Sequence, residues 1–152
     1  MRKYVFLICL ILFPGFSPAV LPAEYSGLEL HFIDVGMGDS MLIDLPDGSN
    51  ILVDAGGPES GPGLVRYLKG EGVERIDRLI FTHPHDDHIG GIFNLLSEFK
   101  VGVFYDNGFS NFKSTIYGPY LKHVRNDLSK YRVLQAGETL SFGGVNIEVI
   151  NP

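Results

Sequence analysis

Cysteine is nearly missing from this chain: its 152 residues include one, Cys9. A single thiol makes no intrachain disulfide and no thiolate cluster for a metal. Long apolar runs are missing as well. Residues 4–13 form an unbroken apolar stretch, too short to cross a bilayer, which takes about 20 residues. Positive charge is scarce, with 12 Lys and Arg against 18 Asp and Glu and a formal net charge of -6. That balance argues against non-specific coating of nucleic acid. It leaves a phosphodiester substrate open, because bound cations supply local positive charge. There is no internal repeat and no low-complexity tract.

What is present is an ordinary globular composition, 45% apolar and 20% charged, enough to bury a core. The length allows at most one domain. With 19 glycines and nine prolines, short elements and many turns are expected rather than long helices.

The first residues read as an export signal. Arg2 and Lys3 precede the apolar stretch, Pro14, Gly15, Ser17 and Pro18 break it, and small residues follow at Ala19 and Ala23. Residues 1–23 are therefore expected to be a signal peptide, cleaved after Ala23 or alternatively Ala19, and residues 24–152 the domain. The alternative is an uncleaved anchor starting near Val5. The expected product is periplasmic or extracellular, without stable membrane insertion after cleavage. It has no cysteine, and losing Arg2 and Lys3 takes its formal charge to -8.

Alternating apolar residues predict strands over 28–35, 40–45 and 50–53, joined as an antiparallel meander by the turn Pro46-Asp47-Gly48-Ser49. A glycine- and proline-rich loop follows, then a helix over 64–69 ended by Gly70. A short buried strand is expected over 77–81, a helix over 89–99 with Ile92, Leu95, Leu96 and Phe99 at helical spacing, and a strand over 101–105. Residues 107–118 read as loop and 119–131 as an amphipathic helix. Strands over 139–142 and 145–150 would pair across Gly143-Gly144.

Chemistry concentrates at His83-Pro84-His85-Asp86-Asp87-His88, which packs three of the five histidines between an apolar strand and a helix. Imidazole and carboxylate suit zinc, iron or manganese. His83 and His85 are two apart, so an extended backbone points them the same way. Asp87 and His88 are adjacent and point differently. One short loop can thus offer one pair to each of two neighbouring cations, which together can clamp a reacting oxygen. Gly90 and Gly91 let the backbone turn closely into the next helix. Lys113, Lys122, Arg125, Lys130 and Arg132 stand against a single acid, Asp127, with Tyr117, Tyr120 and Tyr131 interleaved. Such a set can grip a phosphate backbone and stack bases. It can also be a solvated helix face whose tyrosines pack inward, and that second reading is favoured.

The His-x-His-x-Asp-His pattern after a buried strand resembles the main motif of the metallo-β-lactamase superfamily. Asp34-Val35-Gly36-Met37-Gly38-Asp39 resembles a segment of the hydrolase domain of the ComEC competence proteins and their stand-alone relatives, with Met37 in place of the usual Gln. Asp54-Ala55-Gly56-Gly57 is similar to the family's Asp-x-Gly turn, and residues 137–152 resemble the hairpin that follows. The resemblance covers about residues 28–152. It implies a mixed α/β (α+β) fold, the αββα sandwich. It implies two divalent metal ions, zinc first with manganese or iron as alternatives. His83 and His85 would bind one. Asp87 and His88 would bind the other, with Asp87 also orienting the attacking water. Asp54 would support the ligand loop from behind, and Asp39 would lie at the site's edge.

The family continues with a strand-rich second half carrying a metal-bridging Asp and a later His. Neither is matched here, so the sandwich is expected to be truncated to its N-terminal half and incomplete at the C-terminus. His31 and His123 remain, and neither is read as a ligand. The expected function is an exported metal-dependent hydrolase, phosphodiesterase- or nuclease-like, acting on a small-molecule or phosphodiester substrate, DNA included. The alternative is a non-catalytic fragment or remnant of such a hydrolase. An uncovered sheet face would then favour self-association.

Overall fold

The computed structural model describes residues 27–110 and 113–151, and the expected leader at residues 1–23 lies outside them. Strands β1 (Glu29–Phe32), β2 (Met41–Asp44) and β3 (Asn50–Val53) form the expected antiparallel meander. Its second turn is set locally: the Asp47 carboxylate accepts the Ser49 amide at 2.9 Å and the Ser49 hydroxyl at 2.7 Å. The chain then crosses back repeatedly. Helix α1 (Gly61–Gly70) leads to β4 (Arg75–Ile80). Helices α2 (Asp86–Ile89) and α3 (Ile92–Glu98) lead to β5 (Lys100–Asp106). Helix α4 (Tyr117–Val124) and a 3-10 segment (Arg125–Lys130) lead to β6 (Tyr131–Val133). The six strands lie in the order β1-β2-β3-β4-β5-β6, and the last three pairings are parallel. A separate hairpin, β7 (Thr139–Phe142) and β8 (Val145–Glu148), turns at Gly143 and Gly144, both at positive φ.

Alternation along the central strands gives the sheet two apolar faces. Leu52, Leu79 and Phe104 join a core built with Leu64 and Leu68 of α1, Ile89 of α2, Ile92 and Leu95 of α3, and Tyr120 of α4. Ile51, Ile80 and Tyr105 point the other way, where Leu140, Phe142, Val145 and Ile147 of the hairpin pack. The Arg78 guanidinium sits 3.9 Å over the Phe142 ring, a cation–π contact pinning hairpin to sheet. The layers are therefore helices, a six-stranded sheet, and a hairpin's worth of a second sheet. Among the described residues no helix is long and apolar enough to cross a membrane.

Three expectations change. The single helix over 89–99 is two, α2 and α3, because Gly90 and Gly91 pack backbone against backbone. A Cβ on Gly90 would lie 2.3 Å from the Gly57 carbonyl carbon. The helix over 119–131 stops as an α-helix at Val124. Asp127 then leaves helical geometry at φ -143°, its carboxylate taking the Ser129 amide at 3.2 Å and hydroxyl at 2.5 Å. Such a local side-chain bond competes with the helical ladder. Finally, Tyr131 does not end a helix but opens the strand β6.

Candidate metal centre

The site forms where β3, β4 and β5 end, at the carboxyl edge of the parallel strands, a usual place for function in such sheets. Asp54 follows β3 directly. It adopts left-handed geometry, φ 57°, which aspartate tolerates better than most residues. Its side chain is buried and accepts three hydrogen bonds. Oδ1 takes the Thr82 amide at 2.8 Å; Oδ2 takes the Thr82 hydroxyl at 2.6 Å and His88 Nδ1–H at 2.9 Å. A buried carboxylate is tolerable only when satisfied in this way.

These bonds assign the histidine tautomers. His88 donates from Nδ1, which leaves Nε2 with the free lone pair. The Thr82 hydroxyl gives its proton to Asp54, so its oxygen accepts His83 Nδ1–H at 3.1 Å, and His83 Nε2 is free too. The ring centroids lie 4.0 Å apart for His83 and His88 and 4.7 Å apart for His83 and His85. Burial, then the neighbouring His88 and His85 rings, hold His83 below the ordinary imidazole range. It is therefore a neutral electron-pair donor near neutral pH. Asp87 Oδ2 lies 4.0 Å from His88 Nε2. Asp39 Oδ2 lies 3.9 Å from His88 Nδ1, on a side chain 81% exposed at the rim.

Backbone contacts hold this turn against its neighbours. The amide of Ala55 donates to the His88 carbonyl at 2.7 Å, and that of Gly90 to the Gly56 carbonyl at 2.8 Å. Gly38, at φ +85°, comes so close that a Cβ there would lie 1.6 Å from the Asp87 carbonyl oxygen. The segment around Met37 thus rides directly on the histidine turn.

Among the described residues no three His, Cys, Asp or Glu side chains are already arranged to hold a cation. The donor chemistry fits one nonetheless. Imidazoles whose Nδ1 atoms are already bonded present Nε2 beside a carboxylate, and a buried carboxylate orients one ring from behind, as in many metal sites.

A family model, the metallo-beta-lactamase superfamily, matches residues 33–144. The chain belongs to that superfamily. It is 31% identical over 112 residues to ComE operon protein 3 of Bacillus subtilis (strain 168), covering 62% of this chain and 14% of that protein. It is 36% identical over 80 residues to the same organism's "Probable metallo-hydrolase YflN", covering 49% and 30%. Among solved structures, a metallo-beta-lactamase from Cronobacter sakazakii superposes with a TM-score of 0.57 at 21% identity, covering 77% of this chain and 48% of that one. A flavo di-iron protein from Thermotoga maritima superposes with a TM-score of 0.52 at 18% identity, covering 72% and 26%. The chain thus carries the metallo-β-lactamase fold and spans about half the length of the Cronobacter enzyme and 14% to 30% of the two Bacillus proteins.

The histidine turn also depends on polar partners outside its ligand motif. Thr82 links Asp54 to His83. Asn107, after β5, donates to the Thr82 carbonyl at 3.1 Å, and the Ser114 hydroxyl, just before α4, donates to Asp86. Their only sequence signal is polarity just after a strand or before a helix. His31 is engaged elsewhere: Nδ1 meets the Tyr67 hydroxyl at 2.8 Å and Nε2 lies 3.2 Å from Asp44. His123 packs on Phe104, centroids 5.9 Å apart. The interleaved tyrosines point inward: Tyr117 and Tyr120 are buried, and Tyr120 and Tyr131 both donate to the buried Asp106. Burial drives both of those phenols well above their usual range. Lys122, Arg125, Lys130 and Arg132 are left exposed, as on a solvated face.

Proposed function

We propose that this superfamily member is the ligand-bearing part of an exported hydrolase of phosphodiesters, phosphodiesterase- or nuclease-like, with DNA among its substrates. One observation carries the metal-dependent chemistry: His83, His85 and His88 meet beside the buried Asp54, two of them with Nε2 left free. In this reading His83 and His85 hold one divalent cation, and Asp87 and His88 a second, zinc first with manganese or iron as alternatives. Bound cations of this kind supply a Lewis acid and lower the pKa of water. Asp87, its side chain 40% exposed, is open enough to accept a hydrogen bond from an incoming water and so orient it. Asp54 keeps the His88 ring in register, and Asp39 stands at the entrance.

Support for a phosphodiester comes from the likeness of residues 34–39 to the ComEC-type hydrolase segment, together with the 31% identity to ComE operon protein 3. Export rests on the leader read at residues 1–23. A second reading is favoured by a different observation. Leu30 and Phe32, alternate residues of β1, are 47% and 81% exposed. It describes a non-catalytic piece that binds metal weakly and self-associates through an uncovered sheet face. The test is hydrolysis of bis-p-nitrophenyl phosphate, nitrocefin and a thioester with added zinc or manganese. Turnover of the first supports the leading reading. Turnover of only the others removes the phosphodiester, and no turnover of any, with a dimer in solution, favours the second reading.

A further inference from the structure

Helix α2 is a single turn of four residues, yet it carries Asp87 and His88. One turn cannot hold itself, because nucleating a helix costs more than its first hydrogen bond returns. It must be fixed from outside. On its inner side Asp54 holds His88. On its other side the Ser114 hydroxyl donates to Asp86 Oδ1. Ser114 is itself pinned. Its oxygen accepts the amides of Ile116 at 3.2 Å and Tyr117 at 2.9 Å, at the entrance to α4. The hydroxyl has one proton, and with both amides on its oxygen that proton is directed to Asp86. Asn107 makes a parallel tie where the histidine segment begins, at the Thr82 carbonyl.

We propose that Ser114 and Asp86 form a latch that positions the His85–His88 turn for metal binding. Asp86 stands between His85 and Asp87 in the chain and its carboxylate is bonded to Ser114, so fixing that carboxylate fixes the rotation of α2. Ser114 thereby transmits the placement of α4, a helix seated in the core through Tyr117, Tyr120 and Val124, to the ligands. Both are positioning residues. The inference rests on the metal-binding reading above and adds to it two residues that touch no cation.

The experiment is cobalt(II) titration of the full chain, followed by its visible absorption and by competition with a chelator. Asp86→Ala and Ser114→Ala should each weaken uptake about tenfold or more, the usual effect of losing an outer partner at a metal site. The double variant should be no weaker than the poorer single one, and Ser114→Thr, which keeps the hydroxyl, should restore the parent affinity. Parent-like affinity in Asp86→Ala, or single effects that multiply independently in the double variant, overturns the latch. Hydrogen exchange of the metal-free protein separates this from the wider reading. The amides of His88 and Ile89, which donate to the His85 carbonyl, should lose about tenfold in protection in Asp86→Ala and in Ser114→Ala. If the parent takes up no cobalt, the metal reading fails while the exchange result still decides the latch, and unchanged protection overturns it.

Discussion

Removing the Asp54 carboxylate should unfold the site from behind. The side chain is 2% exposed and accepts three hydrogen bonds, two from Thr82 and one from His88. A hydrogen bond to a charged group contributes about 1.5–3 kcal/mol, but burying the charge offsets much of that sum. The asymmetry on deletion matters more. Asp54→Ala leaves the Thr82 amide and His88 Nδ1–H without an acceptor, and breaking such a buried network costs about 3–5 kcal/mol. Alanine is also less at ease than aspartate at φ 57°, which adds about 1 kcal/mol. Asp54→Asn keeps the shape, the tolerance of that φ and one acceptor oxygen, so a loss of about 2 kcal/mol is expected. Urea denaturation followed by circular dichroism reads both, provided the slope is unchanged. A shift under about 0.5 kcal/mol for Asp54→Ala, the size of an ordinary surface substitution, would refute the reasoning.

Two further outcomes follow from backbone and titration. Gly36→Ala and Gly38→Ala both place a side chain at positive φ, but only Gly38 has a neighbour in the way, the Asp87 carbonyl. Gly36→Ala should cost about 1 kcal/mol and Gly38→Ala about 3 kcal/mol or more; equal urea midpoints would show that the close approach is not real. His83 titrates below its unfolded value, mainly through burial and then through the His88 and His85 rings. Unfolding therefore takes up a proton between the two values. The His83 contribution is full above the ordinary imidazole pKa and declines as pH falls through the folded-state value. The urea midpoint should drop between about pH 7.5 and about pH 5.5, and less so in His83→Gln. A midpoint that rises over that interval contradicts the sign.

Much of the fold was legible because its signals are local. Ile51 and Leu52 alternate toward opposite faces, and Gly143-Gly144 marks a hairpin that only residues at ease with positive φ can turn. The histidine segment was legible because its donors are consecutive. Strand β6 was not. It has three residues, too few to show alternation, and it takes its place by pairing with β5, while Tyr131 bonds to Asp106, 25 residues earlier. The ties from Asn107 to Thr82 and from Ser114 to Asp86 span 25 and 28 residues. Nothing in a linear reading pairs a serine before one helix with an aspartate in another. The break at Gly90 and Gly91 was half visible. The glycines announced a close turn, but the backbone they approach, at Gly57 and Ala55, belongs to the loop after β3.

The most direct measurement is the divalent-metal content of the purified protein by mass spectrometry after equilibration with zinc or manganese. The parent should retain metal through buffer exchange, and the variant with His83, His85 and His88 all changed to alanine should retain none. A parent that holds no divalent cation, or a triple variant that holds as much as the parent, contradicts the assignment of this turn as the metal centre.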